Sequence, residues 1–228
     1  MTMIPARLLI GLTGVACIAL VALLNGGLYA PAAVAKFFAS SGFIALAVRS
    51  GALTTAYGRL ILGGLALSWC GDMLLIGRSE PAFLAGLVAF LLAHVAYIAA
   101  FVRHGYGRRW VVFTAVPVTA IAIGVFVWLE PYTPSGLIIP VKAYIAAISV
   151  MLILAVGTRG RGGSLLIVTG AVMFFLSDLS VAALRLVQTQ YPTYIVGLPL
   201  YYAAQVCLAL SSSQSRSHWG VPEKRSTR

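Results

Sequence analysis

An all-α integral membrane protein, a bundle of about eight transmembrane helices with both termini cytoplasmic, is predicted by three observations. The chain is 61% hydrophobic and only 9% charged, with a mean hydropathy of +0.98, so it lacks the charges needed to cover a soluble surface. Its 228 residues divide into eight apolar runs long enough to cross a bilayer as helices, and the alternation of a membrane barrel is absent. When eight crossings are assumed, the Lys and Arg residues at segment ends separate twelve to two by side. One crossing more or fewer scrambles that separation.

The first span, residues 6–25, contains Gly14-Val-Ala-Cys17, which faintly resembles a lipoprotein cleavage site. More apolar sequence follows Cys17 rather than a polar linker, so a helix is expected there. The second span, 30–48, carries Lys36 and stops at Ser50-Gly51; the third, 57–76, carries Asp72. The fourth, 81–102, carries His94 and Tyr97 and ends in the Gly105 to Gly107 turn. Arg108-Arg109-Trp110 and Trp128 bracket the fifth, 110–129, as interfacial anchors. Pro131 to Pro134 form the turn into the sixth, 138–156, with Lys142 and Tyr144. Gly157 to Gly163 lead into the seventh, 165–187, with Asp178, and the eighth is 194–211. Residues 1–211 thus form one membrane domain, and 212–228 read as a polar, disordered cytoplasmic tail.

Sidedness explains the net charge of +11 without nucleic acid. Arg7, Arg49, Arg59, Arg103, Arg108, Arg109, Arg159, Arg161 and the tail fall on one side, and only Arg78 and Arg185 on the other. Positive charge is retained on the cytoplasmic side of multi-pass proteins, and a bacterial inner (plasma) membrane is the expected location. Cys17, Cys70 and Cys207 lie in apolar stretches and read as small buried hydrophobes.

Few strongly polar side chains then remain at membrane depth: Lys36, Asp72, His94, Lys142, Asp178 and Gln205, with Tyr97, Tyr144, Tyr201 and Tyr202 nearby. A carboxylate there costs about 2.5 kcal/mol or more, which makes Asp72 and Asp178 candidate functional residues. Helical rise separates Asp72 from His94 by about 13 Å of depth, so His94 is expected to face Asp178. The seventh and eighth spans form a hairpin in which Asp178 can meet Tyr201 or Tyr202, and Gln205 shares a face with Tyr201. Lys36–Asp72 and Lys142–Asp178 are both 36 residues apart, which suggests a four-plus-four parallel repeat, with Gly64 matching Gly170. The same spacing allows two structural ion pairs. Ser68 and Ser177 read as hydrogen-bonded helix residues. No spacing gives a specific metal signature, and no cofactor is expected.

The run Leu65-Ala-Leu-Ser-Trp-Cys-Gly-Asp-Met-Leu-Leu75, followed by Phe83, Gly86, Phe90, Ala93-His94 and Tyr97, resembles the first signature of the YhhN-like lysoplasmalogenase family. Gly170-Ala-Val-Met-Phe-Phe-Leu-Ser-Asp-Leu-Ser-Val-Ala182 resembles the second, and Tyr201-Tyr202-Ala-Ala-Gln205 the last. Phe37 stands where the family often has proline after the lysine. The resemblance implies an eight-helix hydrolase that cleaves the vinyl-ether bond of a lysophospholipid to a fatty aldehyde and a glycerophospho-base.

That chemistry needs a proton delivered to carbon and a water delivered to the resulting cation. Two carboxyl groups suit it, one protonated as acid and one ionised to stabilise the cation, as at glycosidic bonds. Asp72, Asp178 and His94 are the candidate catalytic residues, with Tyr97, Tyr144, Tyr201, Tyr202 and Gln205 expected to line or position. Depth places Lys36 and Lys142 where they would hold the substrate phosphate. Two other classes fit the same residues: a proton-coupled transporter, and a membrane scaffold whose charges merely pair.

Overall fold

Eight apolar runs of 18 to 25 residues become eight helices, each near the 30 Å needed for the hydrocarbon layer. The computed structural model describes residues 5–77 and 79–213. The helices are α1 (Ala6–Asn25), α2 (Tyr29–Arg49), α3 (Ala56–Leu74), α4 (Glu80–His104), α5 (Arg108–Leu129), α6 (Ile138–Gly157), α7 (Leu165–Ala182) and α8 (Tyr194–Ser211). No strand occurs among the described residues. Most of the expected tail, together with Arg78, lies outside them.

The ends differ from expectation by a few residues, for local reasons. α3 begins at its Thr55 cap, whose hydroxyl accepts from the Gly58 amide. α4 starts earlier because Ser79 caps it and Pro81 stands in its first turn. The seventh run stays α-helical only to Ala182 and finishes as a π-helical turn, Ala183–Val187, closed by Gln188 at φ 54°. α5 and α8 run on through Pro117 and Pro199.

Seven of the helices are long and apolar enough to cross a membrane by composition alone. α3 is the exception, because glycines, Arg59 and Asp72 replace apolar side chains along it. Its polarity is tolerated because Tyr57, Leu65, Ser68 and Asp72 are buried against other helices rather than turned outward. Gly71 and Gly64 let α4 approach: a Cβ on Gly71 would lie 2.6 Å from the Phe90 ring, and one on Gly64 would overlap the Tyr97 ring. Cys17 is buried as expected, and Cys207 is partly buried. Cys70 instead faces outward, because two residues along a helix turn it away from the interior side occupied by Ser68 and Asp72.

Packing proceeds in consecutive pairs, α1 with α2, α3 with α4, α5 with α6 and α7 with α8. The α4–α6 and α2–α8 contacts join the pairs and are exchanged when the two halves are swapped, whereas the packing of α1 on α8 has no comparable α4–α5 counterpart. Tyr57 at the start of α3 bonds Ser211 at the end of α8 (3.0 Å) and packs edge-on against His104 at the end of α4. The Gly107 amide donates to the Gly157 carbonyl, joining the start of α5 to the end of α6. These contacts gather Arg59, Arg103, Arg108, Arg109 and the Arg159–Arg161 turn at one end of the bundle. At the other end Tyr194 donates to Asn25 (2.8 Å).

Candidate active site

A cavity of about 150 Å³ reaches into the bundle from the end opposite the arginines. Lys36, Asp72, Tyr144, Asp178 and Tyr201 line its floor, apolar residues such as Leu87, Phe90, Ile148 and Leu198 its walls, and Phe83, Arg185 and Leu186 its outer part. Helices α2 to α8 all contribute, so the two aspartates, 106 residues apart, share one chamber. Ser180 and Thr193 clamp the outer α7–α8 turn reciprocally, each hydroxyl donating to the other's carbonyl at 2.6 Å.

Asp72 is 2% exposed and takes three donors. The Lys36 ammonium lies 3.1 Å from Oδ1, while the Ser40 and Tyr201 hydroxyls each donate to Oδ2 at 2.7 Å. Lys36 and Ser40 are one turn apart on α2, so a single helix face supplies charge and hydrogen bond together. Ser40 also bonds the Tyr202 hydroxyl (3.2 Å). This is the partner set that an anionic carboxylate accepts.

Asp178 has a different environment. The Tyr144 hydroxyl donates to its Oδ2 at 2.8 Å, and His94 Nε2 faces the same oxygen at 3.5 Å. His94 Nδ1 is 2.6 Å from the Phe90 carbonyl, which can only accept, so Nδ1 carries a hydrogen. In the neutral ring Nε2 then presents a lone pair to Asp178, with no hydrogen-bond partner of its own. Tyr144 and Phe174 pack edge-on against the imidazole, at 5.1 and 4.8 Å, and fix its plane.

One turn deeper lies a second polar layer. Tyr97 donates to Gln205 Oε1 at 2.9 Å and contacts Ser68 at 3.4 Å. Ser68, Tyr97 and Gln205 sit one turn from Asp72, His94 and Tyr201 respectively, so three helices each add one residue to both layers.

Two expected juxtapositions are replaced. Tyr201 reaches Asp72 rather than Asp178, because Phe174 packs 5.5 Å from its ring on the α7 side and α8 leans against α2 and α3. Lys142 does not enter the cavity: it is exposed, its ammonium 4.5 Å over the Phe126 ring of α5. Its near neighbour Tyr144, about 200° away around α6, takes the inward place on Asp178. Lys36 does reach the cavity, but as the partner of Asp72. Ser40 was missed by sequence reasoning, although its position one turn after Lys36 was the available signal. Among the described residues no group of three or more His, Cys, Asp and Glu side chains is placed to hold a metal ion.

Residues 31–212 match the model of the YhhN family. The chain is 30% identical over 162 residues to a Bos taurus protein named lysoplasmalogenase TMEM86A, covering 68% of this chain and 66% of that one. It is 32% identical over 163 residues to lysoplasmalogenase TMEM86B of Sus scrofa, covering 70% and 66%. A Mycobacterium tuberculosis protein named lysoplasmalogenase is 37% identical over 125 residues, covering 53% and 47%. The matched region thus spans slightly under two thirds of the mammalian relatives' length. No solved structure matches.

Proposed function

This chain belongs to the YhhN family, and from that premise we propose that it is a membrane hydrolase acting on lysoplasmalogen, in a bacterial plasma membrane with its arginine-rich end cytoplasmic. The observation that carries the reading is the contrast between two carboxyl groups in one cavity. Asp72 meets an ammonium and two hydroxyl donors, whereas Asp178 has one hydroxyl donor, from Tyr144, and His94 Nε2 at 3.5 Å. The relatives' shared name supplies the substrate.

The two environments divide the labour. A proton shared by Asp178 and His94 Nε2 passes to the outer vinyl carbon, the carbon–carbon double bond opens, and an oxocarbenium ion forms at the ether carbon. The Asp72 carboxylate stabilises that cation. Water attacks the cation and returns its proton to the Asp178–His94 pair, giving a hemiacetal. Collapse breaks the carbon–oxygen bond to glycerol as the Asp178–His94 pair protonates the leaving oxygen and regains the hemiacetal hydroxyl proton, releasing aldehyde and glycerophospho-base, so atoms and protons balance. Tyr144 orients Asp178, and Tyr201 orients Asp72. The carrier reading gains nothing from the helices, because neither aspartate lies at a helix break.

Aldehyde release from purified, detergent-solubilised protein tests the proposal. Wild type should produce aldehyde, and folded Asp178→Asn should lose about 10²- to 10⁴-fold in kcat, the usual worth of a positioned acid. Silence from folded wild type would remove the vinyl-ether assignment.

A further inference from the structure

Arg185 enters the sequence argument only as a topological charge, yet it occupies a defined place in the cavity. It sits on the π-helical turn Ala183–Val187, seven residues beyond Asp178. Four α-helical residues and three of the π-helical turn separate the two positions by about 9–10 Å along the axis. Both line the cavity. Arg185 and Phe83 also border a shallower concavity beyond it, with Glu80, Tyr132 and Gln188. The guanidinium lies 5.6 Å from the Phe83 ring centroid, which holds the cation where the apolar chamber meets the polar rim.

Resting on the vinyl-ether reading above, we propose that Arg185 binds the phosphodiester of the lysolipid headgroup and so sets the register of the scissile bond against Asp178. The substrate's own dimensions support this. Seven bonds separate its phosphorus from the carbon that takes the proton, about 8 Å in an extended chain. The axial separation of the Arg185 and Asp178 backbone positions, about 9–10 Å, is on that scale. Among the described residues the two lysines expected to hold the phosphate are placed otherwise: the Lys36 ammonium is on Asp72, and Lys142 lies over Phe126 outside the cavity. A guanidinium carries five donors in a planar fork, of which a bidentate phosphate contact uses two, so its contacts within the protein need not be surrendered. Glu80 on the same rim is compatible with a headgroup whose phosphate is followed by a cationic base.

The test compares 1-alkenyl-glycerophosphocholine with phosphate-free 1-alkenylglycerol. In Arg185→Gln the ratio of kcat/KM values, phospholipid over phosphate-free, should fall about ten- to a hundredfold, through KM. Arg185→Lys, which keeps charge but loses the fork, should fall between. Arg109→Gln, the same charge change at the other end, should leave the ratio unmoved. Thermal stabilisation by non-cleavable 1-alkyl-glycerophosphocholine reports binding without turnover and should weaken in Arg185→Gln. Inorganic phosphate, included as a competitor, should not inhibit at concentrations where the lysolipid saturates. An unchanged ratio and unchanged stabilisation in Arg185→Gln would overturn the proposal, as would tight competition by inorganic phosphate, which would make this a free-anion site. Absence of aldehyde from wild type overturns the hydrolase reading instead, and the binding arm still decides Arg185.

Discussion

Lys36 shows how a single residue changes meaning once its partner is known. As a lone cation near the outer face it reads as a phosphate ligand, and its loss then raises KM. Bound to Asp72 at 3.1 Å and only 14% exposed, it neutralises a buried carboxylate. Removing one member of such a pair costs about 3 kcal/mol or more, because the other charge is left unpaired. Lys36→Met should therefore lower thermal stability in detergent and cut kcat more than it raises KM. Lys36→Met with Asp72→Asn should recover much of the stability without recovering aldehyde release. Recovery of both would show that Asp72 serves packing alone. Tyr144→Phe removes the hydroxyl on Asp178 but keeps the ring against His94. About a tenfold loss in kcat with a normal unfolding temperature is expected.

Among the elements, α3 carries the heaviest constraint. Its glycines admit α4, and α4 positions His94 through the Phe90 carbonyl. Gly71→Ala offers up to about 1 kcal/mol from helix propensity, but the new Cβ meets a buried ring at 2.6 Å. Overpacking costs about 1–3 kcal/mol and should win. The variant should unfold at lower temperature and also lose kcat, since Phe90 cannot move without shifting the histidine. Stability rising with full activity would show that the α3–α4 contact is slack. Element identity was well marked in the sequence, because apolar runs between charged or glycine-rich breaks define helices locally. Which residue of a helix points inward was not. Lys142 and Tyr144 are two positions apart, and only the seating of α6 on α4, α5 and α7 decides that the tyrosine faces in.

At the scale of the whole molecule, the arginine cluster of Arg59, Arg103, Arg108, Arg109, Arg159 and Arg161 and the cavity occupy opposite ends of the bundle. On the proposed topology, with positive charge retained on the inner side, the cavity mouth is expected to face outward. A fluorescent protein fused to the C-terminus should fluoresce in cells, while alkaline phosphatase at the same point should stay inactive. The reverse pattern would invert the topology and the side from which substrate enters. The repeat suggested by the 36-residue spacing is followed only in part by the helix pairing, and the charges do not follow it: Lys36 stays on Asp72, while Tyr144 replaces Lys142 on Asp178. That asymmetry makes the two carboxyl groups chemically different.

Composition alone required a membrane, because a chain so poor in charge has no means of covering a soluble surface. Run length and charge sidedness determined eight helices, and the expense of a carboxylate in lipid singled out Asp72 and Asp178. These are properties of residue type and order, which do not depend on what folds against what. Only the tertiary structure decided the partnerships: Lys36, Ser40 and Tyr201 on Asp72, His94 and Tyr144 on Asp178, and Arg185 at the mouth. Those depend on how each helix is rotated and how deeply it is seated. Packing between helices distant in sequence sets both, and no local pattern encodes it.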